Sequence, residues 1–476
     1  MLDRLTPRLE RSVSDLAAKT AARVGRTRHD RSDGLPPGPG APGPLQLFSF
    51  LYQPVAFLRA SRATHGEVMT IRLPGLQPIV QISKPEHVEE LFKGPARQLH
   101  AGEANSVLEP FLGSHSVLVI DDDAHLEQRR LLLPPFRGER MKAYGDTMRD
   151  ATVEVLGSLA ADRVVVTQEL TQRITLEVIL RTVFGLERRG KDDELVELLV
   201  ATLRSLDDPK LLMTAFQHDL GPLSPWGRFL GRRARVRELL EQVIRQRRAQ
   251  GGEGREDVLS LLVGATHADG EPMSDAEIRD ELMTMLVAGH ETTATALSWA
   301  LYRIARHAPV RERLLAEIDA AFPDGAVDPA RIHTLEYLDG VAKESLRVHP
   351  VIPGVGRVLK KPRRVAGFDL PAEVVVGCSI WLAHHDPDTW PDPHRFDPER
   401  FVGTRISPYR FFPFGGGVRR CIGEAFALYE MRVVLATWLT RWVPELVPGR
   451  HYATKRRNLT LSPTGGMPLR FRRRAA

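Results

Sequence analysis

The feature that constrains this chain most is a glycine-rich loop carrying a single cysteine. Residues 414–423 read Phe-Gly-Gly-Gly-Val-Arg-Arg-Cys-Ile-Gly, and a helical run follows from Glu424 to Leu439. Glycines let the backbone turn sharply and approach another group closely. A thiol at a helix N-terminus faces free N–H groups and the positive end of the helix dipole, which favour the thiolate. The pattern predicts a cysteine at 421 whose thiolate is favoured, against the alternative of a buried structural cysteine beside a glycine turn.

The loop resembles the haem-binding loop of the cytochrome P-450 family, Phe-x-x-Gly-x-Arg-x-Cys-x-Gly, and matches it at every fixed position. The resemblance makes Cys421 the expected axial thiolate of a haem b iron, a ligand that favours O–O cleavage. It also gives Phe414 and Gly423 places in haem binding. Because the resemblance runs from about Leu35 to the C-terminus, it implies the family's fold. That fold is mainly α, with a helix-rich lobe, a small β-rich lobe and the haem between a long central helix and the Cys loop.

The predicted central helix is long and apolar, with an unusual polar interruption. Ser274 and Glu277 have the spacing of a capping box, and the helical pattern continues to about His307, interrupted only at Gly289. Residues 288–293 read Ala-Gly-His-Glu-Thr-Thr in the middle of this buried pattern. A buried carboxylate is costly, and glycine inside a helix costs about 1 kcal/mol relative to alanine. Successive unfavourable residues of this kind predict a functional site.

This interruption resembles the family's oxygen-binding segment, Ala-Gly-x-(Asp/Glu)-Thr-Thr. The resemblance implies that Ala288 and Gly289 make room for O2, while Thr292 and Glu291 deliver protons. His290 occupies the variable position and is given no role. The alternative is a kinked core helix with a solvated glutamate.

Four further residues are predicted to bind the haem propionates, which need cationic donors. His125 and Arg129 stand at i and i+4 of an early helix, so their side chains point the same way, and they match the family's His-x-x-x-Arg. Arg357 and Arg419 stand where the family places further propionate partners. Each alone is as consistent with a surface cation, and only the combination with the cysteine loop predicts a binding role.

Two motifs imply a structural support for the cysteine loop. Glu344 and Arg347 lie three residues apart and therefore on one face of a helix, and their setting matches the family's Glu-x-x-Arg helix. Arg400 lies in a turn that matches a later family motif. By resemblance these three residues form a buried ion network that anchors the loop. Exposed Glu–Arg pairs are common and contribute little, so the spacing alone is weak support.

Composition limits the class of protein. Two cysteines, Cys378 and Cys421, are too few for a disulfide framework and fit a reducing cytoplasm; Cys378 is interpreted as a core residue. No run of 18 or more apolar residues predicts a transmembrane helix, and no secretory signal is recognisable. The net charge is +6, but eight bases lie in the last 29 residues, so the rest of the chain is net −2. Without stacking aromatics beside these bases, a nucleic-acid partner is not expected.

The chain is predicted to divide at residue 33. Residues 1–33 form an appendage in which Leu2, Leu5, Leu9 and Leu16 recur at helical spacing among basic residues. Such a helix can lie peripherally on an anionic membrane or pack on its own protein. Residues 34–476 form one domain, entered through a Pro-Gly segment and containing a terminal hairpin over 458–471.

The predicted function is a bacterial monooxygenase that hydroxylates or epoxidises a lipophilic molecule such as a fatty acid or terpenoid. A monomer is expected, with electrons from a separate ferredoxin or flavodoxin and its NAD(P)H reductase, because no such domain is recognisable in the chain. Two alternatives stay open: a haem-thiolate isomerase or peroxygenase, which often lacks the acid–alcohol pair, and a non-enzymatic haem sensor or carrier. The expected cavity residues are Phe111, Leu112, Leu212, Met213, Phe216, Ile352 and Met467, and the expected donor-docking residues are Arg130, Arg137, Arg140 and Arg420.

Overall fold

The computed structural model describes residues 7–28, 34–138, 140–186, 193–205, 211, 217–251, 254–457 and 459–474. Five residues singled out by the sequence lie outside these ranges: Leu2, Leu5, Leu212, Met213 and Phe216.

Helices dominate the described chain, as predicted. They are α1 (Pro7–Gly25), α2 (Gly43–Tyr52), α3 (Pro54–His65), α4 (Pro85–Phe92), α5 (Ala101–Ala104), α6 (Glu109–Leu112), α7 (Asp122–Leu132), α8 (Arg140–Leu156), α9 (Thr167–Ile179), α10 (Asp193–Ser205), α11 (Pro225–Ala249), α12 (Val258–Val263), α13 (Asp275–Arg306), α14 (Ala308–Ala321), α15 (Glu336–Val348), α16 (Ile380–His384) and α17 (Glu424–Leu439). A π-helical turn over Leu180–Phe184 continues α9.

The strands are short and gather into small sheets. They are β1 (Met69–Ile71), β2 (Ile79–Ile82), β3 (Leu99–His100), β4 (Val164–Val166), β5 (Gly354–Leu359), β6 (Arg363–Val365), β7 (Phe368–Leu370), β8 (Val375–Ser379), β9 (Trp442–Leu446), β10 (Thr454–Arg457), β11 (Thr460–Pro463) and β12 (Pro468–Arg473). The largest sheet has the order β1-β2-β8-β5-β3, and β2 and β8 pair in parallel with Ile79 opposite Val375. A second sheet has the order β4-β12-β9.

The predicted terminal hairpin is wrong. Strands β11 and β12 do not pair with each other: β11 pairs with β10, whereas β12 lies between β9 and β4. The Pro-Thr-Gly-Gly segment that suggested a hairpin turn instead forms a short 3₁₀ turn, Thr464–Gly466, between two sheets. A turn signal identifies where the chain bends, but it does not identify the strand with which each arm pairs.

Helix α13 crosses the centre of the core. Its capping box is present, since the Ser274 hydroxyl accepts from the Glu277 N–H and the Glu277 side chain accepts from the Ser274 N–H. Leu282, Leu286 and Leu297 are fully buried, and α13 packs on α9, α11, α15 and α17. The helix continues without a break through Gly289, so the interruption expected there does not occur.

The described part of the first 33 residues contacts the rest of the chain. Helix α1 packs on α3, and its Ala21 and Val24 are buried in one apolar cluster with Phe57 and Leu58. Beyond the helix, Thr27 accepts hydrogen bonds from the N–H groups of residues 40 and 41. Within the described residues, no helix is both long and apolar enough to cross a membrane.

Candidate functional site

The cysteine loop is shaped by glycines at positions where a side chain would not fit. Gly415 and Gly417 adopt φ values of +68° and +65°. A Cβ atom at Gly416 would overlap the Phe92 ring, and one at Gly417 would overlap the Phe92 carbonyl. The backbone then folds back so that the Cys421 N–H donates to the Phe414 carbonyl at 3.0 Å. Glycine is therefore needed both for the turn and for the close approach to α4.

The electrostatics of Cys421 differ from the sequence-based expectation. The cysteine lies three residues before α17, and its exposed surface faces a space that protein atoms surround. Burial raises the pKa of the Cys421 thiol to about 11, although the Gly423 N–H and the charges of Arg129 and Arg420 lower it. Desolvation therefore outweighs the helix terminus in the protein alone. A coordinated metal ion deprotonates a thiol outright, so the raised pKa is compatible with a thiolate ligand.

The predicted ion network behind the loop is confirmed. Glu344 and Arg347 are both 0% exposed, and Arg347 Nε and Nη2 each donate to the Glu344 carboxylate at 2.7 Å. Arg400 Nε lies 3.7 Å from the same carboxylate. The remaining Arg347 donors bind the carbonyls of His384, Pro393 and Arg395. A bidentate pair with its other donors satisfied holds two charges in the interior without leaving either unpaired.

His384 connects this network to the loop, a role that the sequence did not predict. Its carbonyl accepts from Arg347 Nη1 at 2.8 Å, and its Nε2 accepts from the Phe412 N–H at 3.1 Å. The His384 ring is fully buried and stacks on Phe411 at a centroid distance of 5.4 Å. Burial holds the pKa of His384 far below its usual value, so the ring is a neutral acceptor. The arginine, the histidine and the start of the loop thus form one rigid connection.

Neighbouring residues at the centre of α13 face different surroundings. Ala288 is exposed, whereas the residues around it in α13 are buried or half-buried, which indicates that it borders an internal space. Gly289 instead faces α9, where an added Cβ would lie 3.1 Å from Ile179 Cδ1. The next residue, His290, accepts at Nδ1 from the Thr175 hydroxyl at 2.9 Å, or donates to it, and so also binds α9. Only Ala288 of these three residues faces open space.

Thr292 and Glu291, the predicted acid–alcohol pair, have different hydrogen-bond partners. The Thr292 hydroxyl, one turn after Ala288, donates to the Ala288 carbonyl at 2.5 Å. The Glu291 carboxylate accepts from the side-chain amides of Gln172 at 2.6 Å and Gln168 at 3.1 Å, both on α9. Arg457 Nη1 lies 3.9 Å from the same carboxylate, whose side chain is 16% exposed. Glu291 is therefore ordered by α9 and keeps some contact with solvent.

The four predicted propionate-binding residues converge on one region. Arg419 pairs with Asp121 and donates to the carbonyls of Val117 and Ile120. Burial, with the charges of Arg419 and Arg129, lowers the pKa of His125 to about 3, so His125 is neutral at pH 7. Burial and the nearby charge of Arg357 lower the pKa of Arg419 to about 10, although Asp121 opposes this. Arg129 donates to the Arg420 carbonyl and Arg357 to the Gly416 carbonyl, so both side chains reach the cysteine loop that carries Arg419.

The charge of this cluster fits a dianion. Arg129, Arg357 and Arg419 contribute three positive charges, and Asp121 forms an ion pair with Arg419 and acts on Arg357 through its charge. The net charge of the three arginines and Asp121 is therefore +2, which would balance the −2 of two ionised propionates. Because crowded like charges are unfavourable without counter-charges, this donor set is suited to haem.

The sequence profile of the family described as Cytochrome P450 matches residues 36–469. The chain belongs to the cytochrome P450 family. Proteins named “Putative cytochrome P450 135B1” and “Putative cytochrome P450 135A1”, both from Mycobacterium tuberculosis, are 40% and 35% identical to it. The matches cover 93% and 92% of this chain, and 92% and 95% of those proteins.

Solved cytochrome P450 structures share the fold. The structure titled “Retinoic acid bound cyanobacterial CYP120A1” has a TM-score of 0.78 at 26% identity, covering 89% of this chain and 96% of that one. “Crystal structure of cytochrome P450DA heme domain” has a TM-score of 0.80 at 25% identity, with 95% and 98% coverage. The fold prediction is confirmed. As a cytochrome P450, the protein is a haem-thiolate monooxygenase in general terms, with a haem and a cysteine axial ligand characteristic of the family.

Several residues at the site were not predicted from the sequence: Phe92, Asp121, His384 and Gln168. The glycines of the loop carried an indirect signal for Phe92, because each glycine marks a close approach by some neighbour. Asp121, His384 and Gln168 come from segments far apart in the sequence. They belong to no motif of fixed spacing that could have identified them.

Proposed function

We propose that this cytochrome P450 inserts one atom of O2 into a long apolar substrate, with Cys421 as axial ligand and electrons from a separate donor. The observation that carries the proposal is Arg419, because it joins the cysteine loop to the basic cluster. It lies two residues before Cys421 and, through Val117, Ile120 and Asp121, shares the region of His125 and Arg357. Haem held by a cysteine thiolate supplies reductive activation of O2.

Thr292 and Glu291 are proposed to manage protons beside Ala288. Since the Thr292 hydrogen is engaged with the Ala288 carbonyl, its oxygen lone pairs are free to accept a hydrogen bond from water or substrate in that space. Glu291 keeps contact with solvent and is held in place by Gln168 and Gln172, so it can exchange protons with water and pass them inward. This arrangement supports a monooxygenase rather than an isomerase or a peroxygenase, which often lack the acid–alcohol pair, or a haem carrier, which needs no proton route.

The surroundings of α13 support an apolar substrate. Phe111, Trp226 and Phe229 form a buried aromatic cluster, with Phe111 and Phe229 at a centroid distance of 4.8 Å. The cluster packs against Val287, the residue before Ala288. A structural relative was solved with bound retinoic acid, a long and mostly apolar carboxylic acid. We propose a substrate of this kind, a fatty acid or terpenoid, bound beneath the aromatic cluster.

The electron donor is proposed to dock on the cysteine-loop side, in the cytoplasm. Arg130, Arg137 and Arg140 are exposed and form no ion pair within the described residues. Burial is the main cause of the lowered pKa of Arg129. The nearby charges of Arg137 and Arg420 lower it further. A groove of about 880 Å³ borders the outer side of the loop. This basic face suits an acidic ferredoxin or flavodoxin, because complementary charge speeds encounter and fixes orientation.

The haem assignment is tested by carbon monoxide binding. The reduced protein should give the strongly red-shifted Soret band of a thiolate-ligated carbonyl, and Cys421→His should abolish it. Cys378→Ser is the matched control, because Cys378 is a fully buried core residue and should leave the band unchanged. An unshifted band in folded wild type would exclude Cys421 as the ligand.

The substrate class is tested by titrating the oxidised protein while following the haem spin state. Fatty acids and retinoic acid should shift the spectrum at lower concentration than compact compounds of the size of camphor or short-chain carboxylic acids. Phe111→Ala should weaken the effect of the long ligands. A uniform response to all of these compounds would exclude the proposed substrate class.

A further inference from the structure

Glu281, a buried carboxyl on α13, lies beside the basic cluster and has no role in the functions described above. Its side chain is 0% exposed. Oε1 accepts hydrogen bonds from the Val117 N–H at 2.7 Å and from the Gln128 side-chain amide at 3.1 Å. Oε2 is buried and has no hydrogen-bond partner among the described residues. An orphaned oxygen on a buried carboxyl is unusual, because buried polar groups are almost always satisfied.

The two donors to Glu281 belong to segments that carry the basic cluster. Gln128 lies one turn after His125 on α7 and immediately before Arg129. The Val117 carbonyl accepts from Arg419 Nη1 at 3.0 Å. The Val117 residue is therefore held on its N–H side by the central helix and on its carbonyl side by the cysteine loop. Glu281 joins α13, α7 and the 117–121 segment at one point.

The surroundings of Glu281 favour its protonated form. The negative charges of Asp280 and Glu277, on its own helix, oppose ionisation, whereas the hydrogen bonds from Gln128 and Val117 favour it. The nearby Arg279 guanidinium is already engaged with Asp280, and the His115 ring also hydrogen-bonds Asp280 at 2.9 Å. Burial is the largest effect and raises the pKa of Glu281 to about 8.

We propose that Glu281 is a neutral carboxylic acid that positions the propionate-binding cluster through Val117 and Gln128. This inference rests on the proposed haem site. Loss of the proton would leave an unpaired buried charge at the junction of the three segments. Arg419, Arg129 and His125 would then be held less firmly, so the protein would retain haem less well as the pH rises above neutrality.

The sign of the pH effect follows from proton linkage. The pKa of Glu281 in the folded protein is about 8, above the usual 4.5, so the folded state binds this proton more tightly than the unfolded state. The contribution of Glu281 to stability is therefore greatest at low pH. It declines as the pH rises from about 4.5 to about 8 and then levels off.

The experiment measures haem transfer from the holoprotein to excess apomyoglobin between pH 6.5 and 9, together with the thermal midpoint. Wild type should lose haem about tenfold faster at pH 9 than at pH 7, because one pH unit beyond a pKa changes the population about tenfold. Glu281→Gln keeps an acceptor oxygen but cannot ionise, so its transfer rate should be nearly independent of pH. Glu281→Leu lacks the acceptor and should lose haem faster than Glu281→Gln at every pH.

Glu430→Gln is the matched control. Glu430 is also a buried carboxyl with an unpartnered oxygen and a pKa raised by burial, but it lies on α17 and has no hydrogen bond to the cluster. This variant should keep the wild-type pH profile of haem transfer. The proposal is overturned if Glu281→Gln follows the wild-type profile, or if Glu281→Leu matches Glu281→Gln. The red-shifted carbonyl band of the wild type tests the haem site separately from the role of Glu281. Absence of that band would overturn the haem site itself, whereas a normal band with an unchanged pH profile in Glu281→Gln would overturn only the role of Glu281.

Discussion

The two sides of the haem site are held by different kinds of interaction. Behind the cysteine loop, Glu344 and Arg347 are fully buried, and His384 transmits their position to the loop. On the α13 side, the Thr292 hydroxyl donates within its own helix, and Gly289 faces the apolar Ile179 side chain of α9. The loop side thus depends on buried charges whose loss is costly. On the α13 side, we expect that Thr292 and Gly289 can be replaced with little effect on folding. The chemistry of the site can therefore be adjusted on that side.

The largest expected effect is on the loop side. Arg347→Leu leaves the Glu344 carboxylate buried without its partner, which typically costs about 3–5 kcal/mol. We expect this loss in the free energy of unfolding measured by denaturant titration, with little haem retained. The control is Lys93→Leu, which breaks an exposed pair with Glu89 and should leave the free energy of unfolding nearly unchanged. Equal losses in the two variants would remove the contrast between the two sides.

The second prediction concerns the α13 side. Thr292→Ala removes one hydroxyl at a partly exposed position, so the unfolding free energy should change by about 1 kcal/mol or less. Product formed per NAD(P)H consumed should fall by up to about 10²-fold, the lower end of the range for positioned proton-transfer groups, with hydrogen peroxide or water formed instead. Thr292→Ser restores the hydroxyl and should recover coupling. Unchanged coupling in the alanine variant would reopen the peroxide-using alternative.

The third prediction tests the outer face of the loop side. Arg137→Glu should slow the first electron transfer about two- to tenfold at low salt and weaken its dependence on ionic strength, because one steering charge is reversed. Stopped-flow reduction by the donor at several salt concentrations measures both. Substrate affinity should not change. Arg233→Glu, at an exposed position of α11, is a control that should keep the wild-type rate. Equal salt dependence in all three proteins would place the donor elsewhere.

The smallest expected effect is at Gly289. An added methyl group lies 3.1 Å from the flexible end of the Ile179 side chain, which can move by a few tenths of an ångström. Alanine also improves helix propensity by about 1 kcal/mol, so the two effects nearly cancel and Gly289→Ala should lie within about 1 kcal/mol of wild type. Thermal unfolding measures the difference. A loss comparable to that of Arg347→Leu would show that the α13 side is as constrained as the loop side.

Motifs with fixed spacing were predicted well because their geometry is local. The capping box of Ser274 and Glu277 and the Glu344–Arg347 pair each depend on helical spacing alone, and both are present. The terminal hairpin was wrong because strand partners are chosen by the rest of the sheet. His384 was not predicted because its function depends on Arg347 and Phe412, which approach it only in the folded chain.

The sequence by itself determined the family, the cysteine loop and the residue types around the haem, because these depend on backbone conformation and on spacing along single elements. Only the tertiary structure decided which groups are charged and which are neutral. Glu344 and Glu281 are both buried glutamates on helices, yet Glu344 has Arg347 beside it, whereas Glu281 has an amide, a backbone N–H and an orphaned oxygen. Burial and partners set the free energy of a charge, and both arise from contacts between distant segments.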